Sequence, residues 1–216
     1  MREEFEIRIK STLLSQSPRE GSPLIAIIST MTILLVSLMC WRDPQLFGQL
    51  AAVPHQVMAE HEYWRLITAI GVHADLRHFL SNALFLTFFA YLLYGYFGFW
   101  IYPVGVVVLG SLTNYCSLLT YTGNIQLVGA SGVVYLMVGF WLTLYVLVQR
   151  TRSLSKRILH AVGIGFIVFV PTNLSPEVSY RTHAIGFALG VMAAMGYFQA
   201  RRDGIRSLET FEIEAL

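Results

Sequence analysis

A serine between two small residues stands where a polar loop ends and a long apolar run begins. The motif is Gly129-Ala130-Ser131-Gly132, and the apolar run continues over residues 133–148. The first turn of a helix carries unpaired N–H groups and a partial positive charge, which stabilise negative charge that develops on a reacting oxygen. Two interpretations follow: Ser131 is a nucleophile beside an oxyanion hole, or it is simply the N-cap of the helix.

Three further polar residues lie within or at the ends of apolar runs, where such groups are costly and usually functional. His78 and Asn82 are four residues apart and therefore share a helix face. His183 is followed by Gly186 and Gly190, both on the face of the histidine. Small residues at this spacing let two membrane helices approach closely. The helix of the histidine can therefore press this face against another helix, and if that helix is the one of the serine, His183 can reach Ser131.

These residue types predict nucleophilic catalysis. His183 would act as the general base for Ser131, and no carboxylate in the same run orients it, so the pattern indicates a dyad rather than a triad. His78 and Asn82 would face the developing oxyanion together with the Ser131 N–H. Tyr135 lies one turn after the serine, where its ring can support the imidazole. The alternatives are interfacial histidines and an asparagine that makes a packing hydrogen bond.

The composition is that of a polytopic membrane protein. Of 216 residues, 55% are hydrophobic and 13% are charged, whereas soluble domains carry about 25% charged residues. Cys40 and Cys116 lie in or beside apolar runs, which indicates buried thiols rather than a disulfide framework. No motif predicts a metal site, a phosphate-binding loop or a nucleic-acid site. We therefore expect no metal, no cofactor and no nucleic-acid partner.

Six apolar runs are predicted to cross the membrane, at residues 24–41, 78–97, 100–121, 131–148, 158–170 and 183–200. The fifth run has 13 residues, fewer than the about 20 that a spanning helix needs. It borrows flanking residues, thins the bilayer locally, or is a mobile element. The long connection over residues 42–72 is rich in aromatic residues, which predicts packed or interfacial structure.

These runs divide the chain into three parts. Residues 1–22 form an N-terminal tail, partly helical and lying at the membrane surface; residues 23–200 form the membrane domain; residues 201–216 form a C-terminal tail. Of the 15 Lys and Arg residues, four fall on the side opposite to both tails: Arg42, Arg65, Arg77 and Arg181. The excess of positive charge near the tails predicts that both tails are cytoplasmic. The serine and the histidines at residues 78 and 183 then lie at the outer ends of their helices.

The candidate catalytic and oxyanion residues together resemble those of the rhomboid intramembrane serine proteases. The resemblance implies an all-α, six-transmembrane-helix bundle with a long, partly membrane-embedded first loop and a water-filled cavity that opens outward. It implies Ser131 and His183 as the catalytic dyad, with His78 and Asn82 stabilising the oxyanion. The motifs that carry it lie between Glu62 and Gly190: Trp64-Arg65; His73, His78 and Asn82 in an H-x4-H-x3-N array; Gly129-Ala130-Ser131-Gly132 with Tyr135; and His183-Ala184-Ile185-Gly186-x3-Gly190.

The same resemblance implies supporting residues and partners. Substrate or active-site support is expected from Gly129, Ala130, Gly132, Tyr135, Gly186, Gly190, Trp64, Arg65 and His73. His73 precedes the second run and is either a loop residue or a support behind the site. The fifth helix and its cap loop are expected to gate entry of single-span transmembrane substrates from the lipid. The short tails indicate a compact bacterial form in the cell membrane, and the oligomeric state is left open.

Two other functions compete with proteolysis. A rhomboid-fold protein can bind or move clients without cleaving them, but catalytically dead relatives lack the serine or the histidine, and both are present here. A transporter can use buried His and Asn in a proton path. No Asp or Glu lies inside any of the six runs, which weighs against a transporter.

Overall fold

The computed structural model describes residues 5–121, 123, 125–169 and 179–215. Two strands, β1 and β2, lie at the ends of the chain, at Phe5–Ser11 and Thr210–Ala215. The helices are α1 Ser22–Arg42, α2 Pro44–Leu50, α3 Pro54–Met58, α4 Arg65–Gly71, α5 Leu76–Phe97, α6 Val106–Leu118, α7 Ser131–Val148, α8 Leu154–Phe169 and α9 Tyr180–Arg206. A 3₁₀ turn over Leu13–Ser15 precedes α1, and a kinked turn over Trp100–Gly105 leads into α6.

Within the described ranges, five helical segments are long and apolar enough to cross a membrane. They are α1, α5, α6 with its preceding turn, α7 and α9. The described part of α8 has 16 residues, short of the about 20 that span a hydrocarbon core. The chain is thus a multi-pass integral membrane protein, and the predicted all-α polytopic fold is confirmed. The loop after α8, with Pro171 and Pro176, lies outside the described residues.

Several helix ends differ from the sequence prediction for local reasons. Helix α5 begins at Leu76, because the Asp75 side chain caps it by accepting the His78 N–H at 2.7 Å. The third predicted run starts with a kink: Tyr102 has an extended backbone, with φ −130° and ψ 127°, because the following Pro103 disfavours helical dihedrals at the residue before it. That run ends at Leu118 rather than at Tyr121.

The first loop is a packed structure of three short helices. The Asp43 side chain caps α2 by accepting two N–H groups, and Pro44 occupies its first turn. The buried Arg65 side chain donates to the carbonyls of Gly48 and Ala51 at 2.6 and 3.0 Å, and it also pairs with Glu62. A guanidinium therefore satisfies the carbonyls at the end of α2, and this holds the loop together. The prediction of packed structure over residues 42–72 is confirmed.

Helix α7 lies at the centre of the bundle. Most of its side chains are buried, and α5, α6, α8 and α9 all pack against it. Its apolar residues form one core cluster with those of α5 and with Tyr102 before α6. The helix that carries the candidate nucleophile is therefore the one most enclosed by protein.

The two tails form a structure that the sequence prediction missed. Strands β1 and β2 pair in an antiparallel sheet, with Phe5 opposite Ala215. Thr12 donates to the Gln149 side chain at 2.8 Å, and Arg150 pairs with Glu209 at 2.9 Å. The N-terminal tail is thus largely a strand, and its described helical part is the turn before α1. The last helix runs on to Arg206, beyond the predicted end at residue 200.

Candidate active site

Ser131 is the first residue of α7 and not its cap. The N-cap residue is Ala130, and no side chain caps this end of the helix. Within the described part of the chain, neither the hydroxyl nor the N–H of Ser131 makes a hydrogen bond. The side chain is half-buried. The N-cap interpretation is therefore wrong, and Ser131 has both its hydroxyl and its N–H available.

The turn before the serine depends on Gly129. Its φ of +109° lies in the left-handed region, where a side chain is strained. A Cβ at this position would lie 2.8 Å from Cε1 and Nε2 of His78. The glycine therefore permits the turn and at the same time lets the His78 ring lie against the backbone that leads into α7.

His73 holds the same turn from the other side. Its ring is fully buried, and Nε2 accepts the Ala130 N–H at 3.2 Å. This bond assigns the proton to Nδ1, which donates to the Ser37 hydroxyl at 3.1 Å. Ser37 in turn donates to the Gly71 carbonyl at 2.9 Å. A continuous chain of hydrogen bonds thus ties α1 to the residue before the serine.

Burial sets the charge state of His73. The loss of solvent, and to a smaller extent the neighbouring His78, lower the pKa of His73 to about 4. The two rings meet edge to face with centroids 5.0 Å apart. His73 is therefore neutral at physiological pH, as its acceptor role requires.

His183 stacks on Tyr135. The two rings are 4.0 Å apart and inclined by 10°, and Tyr180 approaches the imidazole edge-on at 6.3 Å. Because Tyr135 is one turn from Ser131 on α7, the imidazole lies over the helix face that bears the serine. The Tyr135 hydroxyl also donates to the Val168 carbonyl of α8 at 3.3 Å.

The backbones of α7 and α9 touch through glycines. A Cβ on Gly186 would collide with the Gly132 carbonyl, and a Cβ on Gly190 with the Leu136 carbonyl. A Cβ on Gly132 would lie 2.8 Å from the Thr182 methyl group. This is the close approach that the glycine spacing predicts, and it fixes the height of His183 against the start of α7.

The structure brings the other predicted residues to different places. Among the described residues, no hydrogen bond joins Ser131 to His183; in unliganded enzymes such bonds are often long and tighten with substrate. Asn82 is buried and donates to the His78 carbonyl of its own helix at 2.9 Å. One of its two amide hydrogens is thus used inside α5. The catalytic and oxyanion roles of these four residues stay predictions.

Trp64 and Arg65 belong to the first loop and have no described contact with the serine. The Trp64 side chain is 53% exposed, as suits an aromatic residue at the membrane interface. Arg65 lines a polar cleft of about 1000 Å³ over this loop, whose lining includes neither Ser131 nor His183. Arg65 therefore supports the loop, and the predicted active-site support by Trp64 and Arg65 stays a prediction.

Sequence reasoning missed three polar residues beside the site. Asn114 is buried and donates to the Leu66 carbonyl at 2.8 Å, which joins α6 to the first loop. Thr113 and Thr182 place methyl groups against Gly132. The signal for Asn114 was available, since it is a polar residue in an apolar run, as Asn82 is. Over the residues that the structure describes, no three His, Cys, Asp or Glu side chains cluster as a metal site.

Comparison with known sequences decides the family. The Rhomboid domain family model matches residues 60–200, which is more than half of the chain. The chain belongs to the rhomboid family. This rhomboid is also 30% identical over 159 residues to RHOMBOID-like protein 1 of Arabidopsis thaliana. That alignment covers 68% of this chain and 40% of the relative, so the rhomboid spans less than half of the relative's length.

The matched range contains every residue of the candidate site. It begins near the end of the first loop and ends within α9. Helices α1 to α3 and the sheet of the two tails lie outside it. The predicted rhomboid membership is confirmed, and the terminal sheet is an addition to the matched domain of this rhomboid.

Proposed function

We propose that this rhomboid is an intramembrane serine endopeptidase that cleaves single-span transmembrane proteins near the outer membrane face. The observation that carries the proposal is the stack of His183 on Tyr135, one turn from Ser131. Ring stacking orients the imidazole in place of the carboxylate of a triad. The unused Ser131 hydroxyl is the group that such a base would activate.

The chemistry requires only residues of this chain. His183 takes the hydroxyl proton as Ser131 Oγ attacks the carbonyl carbon of the substrate, and an oxyanion forms. The Ser131 N–H, His78 and the remaining Asn82 N–H donate to this oxygen. The intermediate collapses to an acyl-enzyme as His183 protonates the leaving amine. Water, deprotonated by the same imidazole, then releases the second product.

The position of the site supports a cut near one membrane boundary. His78, Ser131 and His183 each lie in the first turn or two of α5, α7 and α9. The distribution of Lys and Arg favours a cytoplasmic location for the other ends of these helices and for both chain termini. We propose an integral membrane location with both termini cytoplasmic, and lipid and single-span transmembrane proteins as partners.

A second function is favoured by one specific observation. Within the described ranges, Ser131 and His183 are not hydrogen-bonded to each other. A rhomboid-fold protein that binds or remodels transmembrane clients without cleaving them needs no such bond. This alternative predicts client binding without any covalent chemistry at Ser131.

Two measurements on the purified protein in nanodiscs test the proposal. The first is labelling with a serine-directed fluorophosphonate, and the second is cleavage of a panel of type I single-span proteins. We expect Ser131→Ala to lose labelling and cleavage, and His183→Ala to lose roughly 10³-fold or more in cleavage. Melting should stay near wild type, since neither side chain is fully buried.

The controls separate the two functions. If Ser131→Ala cleaves at the wild-type rate, the assigned nucleophile is wrong. If the wild-type protein binds members of the panel, yet is neither labelled nor active on any of them, the non-proteolytic function replaces the proposal.

A further inference from the structure

The sheet of the two tails has an apolar face and a charged face. The register places Ile7 opposite Ile213 and Ile9 opposite Phe211. Directly opposed residues of two strands point to the same side, as do residues two apart on one strand. Ile7, Phe211 and Ile213 are 70%, 60% and 71% exposed. Ile7, Phe211 and Ile213 thus form an apolar surface that the described residues leave exposed, and the half-buried Ile9 continues it toward the bundle.

The opposite face carries paired charges. Arg8 lies across from Glu212 in the register, and it pairs with Glu6 at 2.8 Å. Lys10 approaches Glu212 at 3.9 Å. Charges that neutralise one another are stable in water, where their hydration is retained. The alternation therefore gives the sheet a water side and a side that avoids water.

A two-stranded sheet is marginal in water without cover on its apolar face. Here it is held against the bundle, because Thr12 bonds to Gln149 and Arg150 pairs with Glu209. Three residues separate the last residue of α9 from β2. At about 3.4 Å per residue, such a link keeps the sheet beside the end of a membrane-spanning helix.

The surroundings of the sheet match a lipid surface. Arg201 and Arg202 are exposed in the last turns of α9, where they can meet anionic phosphate groups. Leu208, between this helix and β2, is 41% exposed. On the same end of the bundle, the exposed apolar surface of α1 begins at Leu24. Apolar surface and basic residues thus continue from the spanning helices onto the sheet.

We infer that the apolar face of the terminal sheet lies on the membrane, in the headgroup and upper acyl region of the leaflet at this end of the bundle. The partner is the lipid itself, with anionic headgroups favoured by the two arginines. Burial of apolar side chains at the interface and attraction to anionic lipid are the forces that hold peripheral amphipathic segments on membranes. The inference does not depend on proteolysis.

Site-directed spin labelling tests this with adjacent positions as matched controls. In the full chain with Cys40→Ser and Cys116→Ser, a nitroxide is attached at Ile213→Cys or at Glu212→Cys. The protein is placed in nanodiscs of phosphatidylcholine and phosphatidylglycerol. Collision rates are then measured with oxygen, which concentrates in the bilayer, and with a water-soluble nickel chelate. The parent without a new cysteine shows the background from labelling elsewhere.

We expect the ratio of oxygen to nickel collision rates to invert between the two sites, with oxygen dominant at residue 213 and nickel dominant at residue 212. Equal nickel accessibility at both residues would overturn the inference. Protection of residue 213 from both reagents, with spectral broadening as the protein-to-lipid ratio rises, would instead assign this face to a second copy of the chain. Residue 213 should also remain oxygen-dominant at the lowest protein-to-lipid ratio.

Discussion

Helices α8 and α9 both pack against α7, but they do so in opposite ways. Helix α9 meets α7 backbone to backbone, with Gly186 and Gly190 set against carbonyl groups. Helix α8 contacts it through side chains and through two hydrogen bonds: Tyr135 donates to the Val168 carbonyl, and Arg157 of α8 donates to the Val146 carbonyl. Much of its surface is open, with Phe166 68% exposed. Helix α9 is therefore packed tightly against the serine helix, and α8 is packed less closely.

This difference teaches where motion can occur without loss of the catalytic geometry. Separation of α9 from α7 would carry His183 away from Ser131. Movement of α8 would leave the backbone contacts between α9 and α7 in place, as a lateral entrance for a substrate helix requires. The predicted gating role of the fifth helix is consistent with this contrast and stays a prediction.

The difference in packing between α9 and α8 is tested most strongly by one Gly→Leu substitution in each helix. Gly190→Leu places a branched side chain where a Cβ already meets backbone, whereas Gly163→Leu in α8 meets nothing within 4 Å. Misplacement of catalytic groups by about 1 Å costs roughly 100-fold in rate. We expect Gly190→Leu to lose all measurable cleavage and to melt well below wild type.

Gly163→Leu should keep its activity within a few-fold and its melting temperature nearly unchanged. A second control is Gly196→Leu, which is also in α9 and also has open space at its Cβ. Normal melting and normal activity of Gly190→Leu would show that the two helices do not pack closely at this residue.

The two predicted oxyanion donors of α5, His78 and Asn82, test the geometry on the tightly packed side of the site. The His78 ring lies against Gly129, and Asn82 is one turn further along α5. Loss of one oxyanion donor costs about 2.7–4 kcal/mol of transition-state stabilisation. We therefore expect His78→Ala to lower kcat roughly 100-fold with little change in KM and with fluorophosphonate labelling retained.

Asn82→Ala distinguishes catalysis from packing. A similar fall in kcat with normal melting would support the oxyanion role. A large drop in melting temperature with nearly unchanged turnover would instead show that its described bond to the His78 carbonyl is its whole contribution.

The hydrogen-bonded chain through His73 gives a pH dependence. The pKa of His73 in the folded state is about 4, below its ordinary value of 6.5. The folded state therefore favours the neutral ring. The contribution of neutral His73 to the free energy of unfolding is complete above pH 6.5. It falls as the pH is lowered toward 4 and does not change further below pH 4. The whole difference is about 3 kcal/mol.

His73→Gln can keep both hydrogen bonds, because its amide oxygen accepts and its amide nitrogen donates. We expect melting curves from pH 4 to 7.5 to fall less steeply with acid for this variant than for wild type. Identical slopes would remove His73 as the titrating group.

The smallest effect should come from substitutions of Tyr135, which contacts both His183 of α9 and the Val168 carbonyl of α8. Tyr135→Phe keeps the stack on His183 and loses the hydroxyl bond to α8, which is worth about 1 kcal/mol of stability. Tyr135→Leu loses the stack as well, and an aromatic pair is worth about 0.5–1.5 kcal/mol. We expect near-normal turnover for Phe and a loss of up to about tenfold for Leu. Equal turnover of the two variants would show that stacking does not orient His183.

The sequence predicted the site better than it predicted the chain ends. Spacing placed Tyr135 on the face of Ser131, and the two glycines of α9 on the face of His183, because helical periodicity determines which side chains share a face. The bonds of His73 could not be read in this way. They join α1, the loop before α5 and the turn before α7, and a local pattern gives no information on contacts between distant segments.

The terminal sheet was missed for a related reason. Apolar and charged residues alternate over residues 5–10 and 211–214, which is the pattern of a strand. The charge of the tails favoured a surface segment, and a lone strand has no partner within its own sequence. Its partner is at the other end of the chain.

The pairing of the two terminal strands also restricts how many times the chain can cross the membrane. Two strands that share hydrogen bonds lie on the same side of the membrane, so the chain between them crosses the bilayer an even number of times. Five segments within the described ranges meet the length criterion for a crossing, and five is odd. Helix α8 is the remaining apolar helix in these ranges, and a crossing by it would make the number even, as in the predicted six-helix bundle. The pairing of the first and last strands thus favours a membrane crossing by α8, whose described part ends at Phe169.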